Sequence, residues 1–157
     1  MTVVGATGHQ HVPPEATAHV TSGIREVVHS HRTGLVGVCS LATGTDQLFA
    51  RAVLDAGGAL HVVVPCDKYE ETFHGADLAA FHDLLQQAEQ VETLPHPEPI
   101  EEAFYAAGRR VVDLCDVLIA VWDGEPARGL GGTADVVEYA RSGGRQVVVI
   151  WPPGVRR

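Results

Sequence analysis

Short apolar runs that alternate with helical patterns constrain the fold of this chain more than any other feature. Runs rich in Val, Ile and Leu occupy residues 2–4, 35–39, 60–64, 117–122 and 146–151. Continuous apolar runs of this length are typical of strands covered on both faces of a sheet. Between them, apolar residues recur at helical spacing, as at Val20, Ile24 and Val28. The alternation predicts an α/β fold, a doubly wound, mainly parallel sheet with helices on both faces, as one domain over residues 1–157.

The segment from Lys68 to Pro99 is less regular. Its pattern indicates a helix over Ala76 to Glu89, followed by a short strand over Val91 to Leu94. Three prolines among the last five residues of this segment predict a rigid turn into the next helix.

The acidic composition bears on partners. The chain has 11 Lys and Arg residues against 20 Asp and Glu residues, for a net charge of -9. Proteins that bind nucleic acid generally concentrate positive charge on one face. We therefore expect no long nucleic acid and no membrane as a partner.

The cysteines and the apolar runs indicate where in the cell the protein is found. Three cysteines, widely spaced in apolar surroundings, are typical of reduced, buried thiols. No stretch approaches the roughly 18 apolar residues of a membrane span, and the first residues lack a secretory signal pattern. The sequence therefore predicts a cytoplasmic protein.

Small and hydroxyl-bearing residues follow the predicted strands, at the sheet edge where parallel α/β proteins bind ligands. The turns read GATGH after the first strand and SLATGTD after the second, and GGT precedes the last helix. Glycine lets backbone N–H groups approach an anion, and a helix N-terminus adds donors and a favourable dipole. We predict one ligand site formed by Thr7, Gly8, His9, Ser40, Ala42, Thr43, Gly44, Thr45, Asp123, Gly124, Gly131, Gly132 and Thr133.

The Gly131, Gly132 and Thr133 segment has the composition of a phosphate cradle. The same residues also fit a plain turn followed by an N-cap threonine, and Thr45 has the same two interpretations. Because both loops fall on one edge of the sheet, phosphate binding is the interpretation that we favour. Arg109 or Arg128 can supplement it with a positive charge.

Four segments together resemble the SLOG superfamily, a Rossmann-like clan that contains the DprA/SMF proteins and the LOG phosphoribohydrolases. These segments are GATGH, CSLATGTDQLFARAVLDAGG, CDVLIAVWDG and GGTADVVEYA. The resemblance implies a Rossmann-like fold that binds nucleotides or nucleotide-derived ligands. It also implies either hydrolysis of the N-glycosidic bond of nucleoside monophosphates, or sensing and DNA processing without that chemistry.

The hydrolase branch has a PGGxGTxxE loop, in which the glycines and threonine hold phosphate and the glutamate acts on the sugar with an upstream arginine. Here Val136 stands three residues after Thr133, and Glu138 points in another helical direction. Arg109 matches the upstream arginine only in approximate position. The resemblance therefore implies phosphate binding but no glycosidase carboxylate. The remaining catalytic candidates are Asp123, Arg109 and Glu138, and enzymatic activity stays open.

Three residues near the predicted ligand edge have alternative roles. Asp123 follows a predicted central strand, where it can hold a ribose hydroxyl or act on a glycosidic bond, or can serve as an ordinary turn residue before Gly124. Asp46 has the same ambiguity. His9 follows Gly8 at the ligand edge, where it can contact a phosphate or a base.

Metal and dinucleotide sites are not expected. The chain has nine histidines, but their spacing fits metal ligation poorly. GATGH lacks the spacing of the GxGxxG fingerprint, which disfavours a nicotinamide dehydrogenase. We therefore predict no metal and no cofactor.

These observations favour a protein that binds or senses a small nucleotide or nucleotide derivative, with its phosphate on the Gly-Gly-Thr helix start. The alternative is a nucleoside 5′-monophosphate N-glycosidase that releases free base. A homo-oligomer, paired through apolar helix faces, is also expected.

Overall fold

The computed structural model describes residues 2–127 and 129–157, so Arg128 lies outside the described residues. The strands are β1 (Thr2–Gly8), β2 (Leu35–Cys39), β3 (Ala59–Val64), β4 (Gln90–Thr93), β5 (Val117–Val121) and β6 (Gln146–Ile150). The helices are α1 (Pro14–Ser30), α2 (Thr45–Asp55), α3 (Gly75–Gln87), α4 (Glu101–Leu114) and α5 (Thr133–Ser142), with a 3-10 turn at Tyr69–Thr72.

All six strands within the described residues are parallel, in the order β4-β3-β2-β1-β5-β6. The chain winds outward from β1 to β4, and α4 then returns it across the sheet to β5, beside β1. This reversal is the switch point of a doubly wound sheet, where ligands bind in α/β proteins. The prediction of an α/β, doubly wound, parallel sheet is confirmed.

Two apolar clusters cover the sheet. One includes Val20 of α1, Phe49 of α2 and Leu84 of α3, and the other includes Val111 of α4 and Val136 of α5. Every residue of β2 and β5 is buried, as their continuous apolar sequences predict. The sheet is therefore enclosed between two helical layers.

The first strand is longer than its apolar run. The sequence predicts a turn from Gly5 onward, but β1 continues to Gly8 and pairs with β5 over its second half. The small residues are needed because α4 packs closely on β1: a Cβ atom at Gly5 would lie 2.9 Å from Val111 Cγ1. Thr7 and Gly8 thus belong to the end of a strand.

Of the expectations about a membrane, the structure tests only whether a helix could span one. Within residues 2–127 and 129–157, none of the helices has both the length and the apolar character needed to cross a bilayer. The cytoplasmic location and the homo-oligomer remain predictions.

Candidate functional site

A cleft of about 310 Å³ lies at the carboxyl edge of the sheet. It is bordered by the ends of β1 and β2, the 3-10 turn, α4 and the end of the segment before α5. Six residues of the predicted site line it: Thr7, Gly8, Ser40, Ala42, Thr43 and Gly131. Residues from all three predicted turns therefore meet at one cavity, although Thr7 and Gly8 belong to the end of β1.

The remaining members of the predicted site do not line this cleft. They are His9, Gly44, Thr45, Asp123, Gly124, Gly132 and Thr133. Four of them, His9, Gly44, Thr45 and Gly132, lie immediately next to lining residues in the sequence.

The loop between β2 and α2 is held to the end of β1. The N–H and Oγ1 groups of Thr45 both donate to the carbonyl oxygen of His9, at 3.3 and 3.0 Å. Gly44 has a φ of +83°, and a Cβ atom there would collide with the carbonyl oxygen of Gln10. Leu41, fully buried, also has a positive φ of 58°, which is unusual for a bulky residue. The loop is thus fixed tightly against β1.

Asp46 organises this loop and faces the cleft. Its Oδ2 atom accepts the N–H groups of Ser40 and Ala42, at 3.1 and 3.3 Å. Burial raises the pKa of its carboxyl from 3.8 to about 7, although these two amides oppose the shift. A buried carboxyl that titrates near neutrality inside a cleft is a candidate functional group.

Sequence reasoning left Asp46 open between a ligand contact and an ordinary helix cap, and did not include it in the predicted site. Its only signal was an acidic residue at the end of the SLATGTD turn, which is equally typical of a cap. The aromatic residues that line the cleft, Tyr69, Phe73 and Phe104, were missed entirely. They come from the 3-10 turn, the residue after it and α4, which the sequence does not place at this edge.

The Gly-Gly-Thr segment forms the start of α5. Gly132 is the N-cap and Thr133 the first helical residue, so Thr133 is not the cap that the alternative interpretation expects. Gly131 has a φ of +86°, and its N–H group donates to Asp135 Oδ2 at 3.1 Å. One of the three amides predicted to hold phosphate therefore already has an anionic partner.

His9 and Asp123 form a cluster with Arg157 beside the cleft. His9 Nε2 lies 3.3 Å from Asp123 Oδ1, and Arg157 Nε lies 3.1 Å from Asp123 Oδ2. Arg157 Nη1 also lies 3.0 Å from His9 Nδ1, and Trp151 packs edge-on against the imidazole. The two predicted ligand-binding side chains are thus engaged with the protein itself.

The charge state of Asp123 reflects this cluster. Burial alone would raise the pKa of Asp123, but the amide of Glu125 and the nearby His9 and Arg157 outweigh it. The pKa therefore lies below its ordinary value of 3.8. Asp123 is an ionised partner of Arg157, an arrangement typical of a structural ion pair.

The three catalytic candidates are not brought together in the cleft. In this part of α4, the cleft is lined by Ala107, Gly108 and Val111. The Arg109 guanidinium does not line it and lies 4.8 Å from the ring centre of Tyr105. Glu138 borders a separate groove near Trp122. Helix geometry explains the separation, because residues one or two positions from a lining residue point elsewhere.

Comparisons with known proteins concern the fold. No protein-family profile and no curated protein matches the sequence. Among solved structures, DNA processing protein A (DprA) from Streptococcus pneumoniae is 22% identical with a TM-score of 0.71, and the match covers 94% of this chain and 50% of that protein. DprA from Helicobacter pylori is 21% identical with a TM-score of 0.69, and the match covers 94% of this chain and 64% of that protein. This chain thus spans about half to two thirds of the DprA chains.

One expectation about partners is wrong. The acidic composition led us to exclude a long nucleic acid, but the Helicobacter pylori protein of the same fold has a single-stranded DNA binding mode. Composition alone therefore does not exclude single-stranded DNA as a partner of a chain with this fold. Net charge sums the whole surface and does not describe the local surface that would meet a strand.

The molybdenum cofactor carrier protein of Chlamydomonas reinhardtii has the same fold at lower similarity. It is 16% identical with a TM-score of 0.54, and the match covers 94% of this chain and 75% of that protein. The DprA proteins, which the sequence resemblance named, are thus among the proteins that share this fold. The chain therefore has the Rossmann-like fold shared by DprA and the molybdenum cofactor carrier protein.

Proposed function

We propose that this protein binds a small nucleotide or nucleotide derivative in the cleft at the carboxyl edge of its sheet. The observation that carries the proposal is the convergence of three separate segments on one cavity. Thr7, Ser40 and Gly131 come from distant parts of the sequence, yet all line the same space of about 310 Å³. That volume is within the usual range for small-molecule sites.

The composition of the cleft supports this ligand class. Tyr69, Phe73 and Phe104 offer aromatic surface for a planar base, and Ser40 and Thr43 offer hydroxyl groups. The N-terminus of α5, next to Gly131, gives a phosphate a favourable dipole at the border of the cleft. Asp135 beside it makes this terminus a weaker anion site than the sequence predicts.

Thermal shift and calorimetry with mononucleotides, dinucleotides and cyclic nucleotides test the proposal. A ligand at 100 times its Kd stabilises the folded state by about 2.7 kcal/mol. The variant Thr43→Trp fills the cleft and should abolish binding, whereas Thr33→Trp places the same side chain on an exposed turn and should not. Failure of every nucleotide at millimolar concentration to stabilise the protein refutes the proposal.

Single-stranded DNA is a second candidate ligand, favoured by the single-stranded DNA binding mode of the Helicobacter pylori protein of the same fold. An oligothymidine, titrated beside its mononucleotide, distinguishes the two. Binding of the oligomer that is far tighter, and steeply weakened by salt, would assign the sheet edge to nucleic acid.

The glycosidase alternative has no comparable support, since Arg109 and Glu138 do not line the cleft. Incubation of AMP, GMP and CMP with the protein, followed by chromatography for free base, tests it directly.

A further inference from the structure

The charge of the cleft is unusual for a site that receives a phosphate. Within residues 2–127 and 129–157, no Lys, Arg or His lines it, and Asp46 is its one lining carboxyl. A phosphate placed deep in this space would face a buried acid without any lining cation. The interior therefore favours the uncharged, hydrogen-bond-donating part of a nucleotide over its phosphate.

Asp46 has one oxygen left for such a donor. Both loop amides, from Ser40 and Ala42, donate to the same atom, Oδ2. Across the described part of the chain, no protein group donates to Oδ1, although the residue is only 7% exposed. A carboxylate oxygen can accept two hydrogen bonds, so Oδ1 of this cleft-lining residue can accept donors from a bound ligand.

The aromatic residues of the cleft favour a planar ligand group. Tyr69 packs edge-on against Phe73, with ring centres 5.1 Å apart, and lies 6.2 Å from the ring of Phe104. All three residues line the same cleft as Asp46; Tyr69 and Phe73 are largely buried, and Phe104 is half-buried. Aromatic walls favour a planar heterocycle over a sugar.

We propose that Asp46 recognises the base of the bound nucleotide, and that the preferred base presents two adjacent N–H donors, as guanine does at N1 and its 2-amino group. In this arrangement Oδ1 accepts both donors, the base lies among the aromatic rings, and the phosphate remains at the border near Gly131. The inference rests on the proposed function, because it assigns the specificity of the same cleft.

Calorimetry at pH 8 with GMP, IMP, 2′-deoxy-GMP and AMP tests base recognition in the unaltered protein. IMP lacks only the 2-amino group of GMP, and AMP lacks both donors. We expect GMP and 2′-deoxy-GMP to bind equally, and IMP and AMP to bind at least about tenfold more weakly, as loss of a hydrogen bond to a charged group predicts.

The variant Asp46→Asn tests the residue. Its amide oxygen can retain both loop N–H groups, because they share one acceptor atom, while its NH2 group places donors where Oδ1 was. GMP affinity should fall at least about tenfold, while AMP affinity changes little. Asp55→Asn is the matched control: it makes the same change at the exposed end of the same helix and should leave all affinities unchanged.

The outcomes separate the two proposals. If no nucleotide binds, the proposed function fails. If nucleotides bind but GMP, IMP and AMP do so equally, or if only the 2′-deoxy compound is weakened, base recognition by Asp46 is overturned. If Asp46→Asn does not fold, the comparison of GMP with IMP in the unaltered protein still decides the inference.

Discussion

The buried carboxyl of Asp46 should make the stability of the protein fall as the pH rises. Burial raises the folded-state pKa from 3.8 to about 7. At pH 5 the group is protonated in the folded chain and ionised in the unfolded chain, so the folded chain binds more protons. Stability from this group is therefore full below about pH 4 and is lost as the pH rises through 7.

The magnitude follows from the same pKa. At about 1.4 kcal/mol per pKa unit, the change between pH 5 and pH 8 amounts to roughly 3 kcal/mol. The Asn side chain of Asp46→Asn does not titrate, so subtracting its free energy of unfolding from that of the unaltered protein isolates the contribution of Asp46. Relative to the unaltered protein, the variant should gain roughly 3 kcal/mol over this range.

Urea unfolding at pH 5, 6, 7 and 8, followed by circular dichroism, measures both proteins. A difference that stays constant to within about 0.5 kcal/mol refutes the reasoning. Such a constant difference would mean that the two amide hydrogen bonds outweigh burial and hold the carboxyl ionised in the fold throughout this pH range.

Three further outcomes are expected. Gly8→Ala should lower the free energy of unfolding by about 1–3 kcal/mol, because the added methyl meets the side chain of Thr45, whose Cβ lies 2.7 Å away; an unchanged melting temperature contradicts this. Arg157→Ala should cost about 1–3 kcal/mol in urea unfolding, since it leaves the buried carboxylate of Asp123 without its cation, and a loss within error would mean that water replaces the guanidinium. Burial raises the pKa of Cys115 to about 11, so at pH 8 iodoacetamide should label it far more slowly in the folded than in the urea-unfolded chain, as mass spectrometry can show; equal rates would contradict its burial.

The sequence predicted the layers of the fold well because apolar periodicity reports burial directly. β2 and β5 are the continuous apolar runs that it indicated, and α3 and β4 differ from the prediction by only one or two residues at each end. The prediction was wrong at β1, where the small residues do not form a turn. Gly5 instead allows α4 to pack closely on the strand. The order of the strands is set by long-range packing, which a local pattern does not contain.

The site was predicted in outline but not in chemistry. Sequence placed the turns around Thr7, Ser40 and Gly131 at one edge, because the carboxyl ends of parallel strands must meet there. It could not tell which side chains would face inward: His9 is engaged with Arg157, from the other end of the chain, whereas Asp46 faces the cleft. Such choices depend on contacts between residues far apart in sequence.

The pairing of β1 with β5 has a consequence for how the cleft forms in time. Val3 donates from its N–H group to Asp116 Oδ2, across 113 positions of sequence, at the seam where the two halves of the sheet join. Contacts of such long range carry a large loop-closure entropy and form slowly. A nascent chain that has made only β1 to β4 therefore lacks α4 and α5, and exposes the free edge of β1, a strand edge open to association with other chains. Binding at the cleft must await the last third of the chain, so a ligand there can act only on the completed domain.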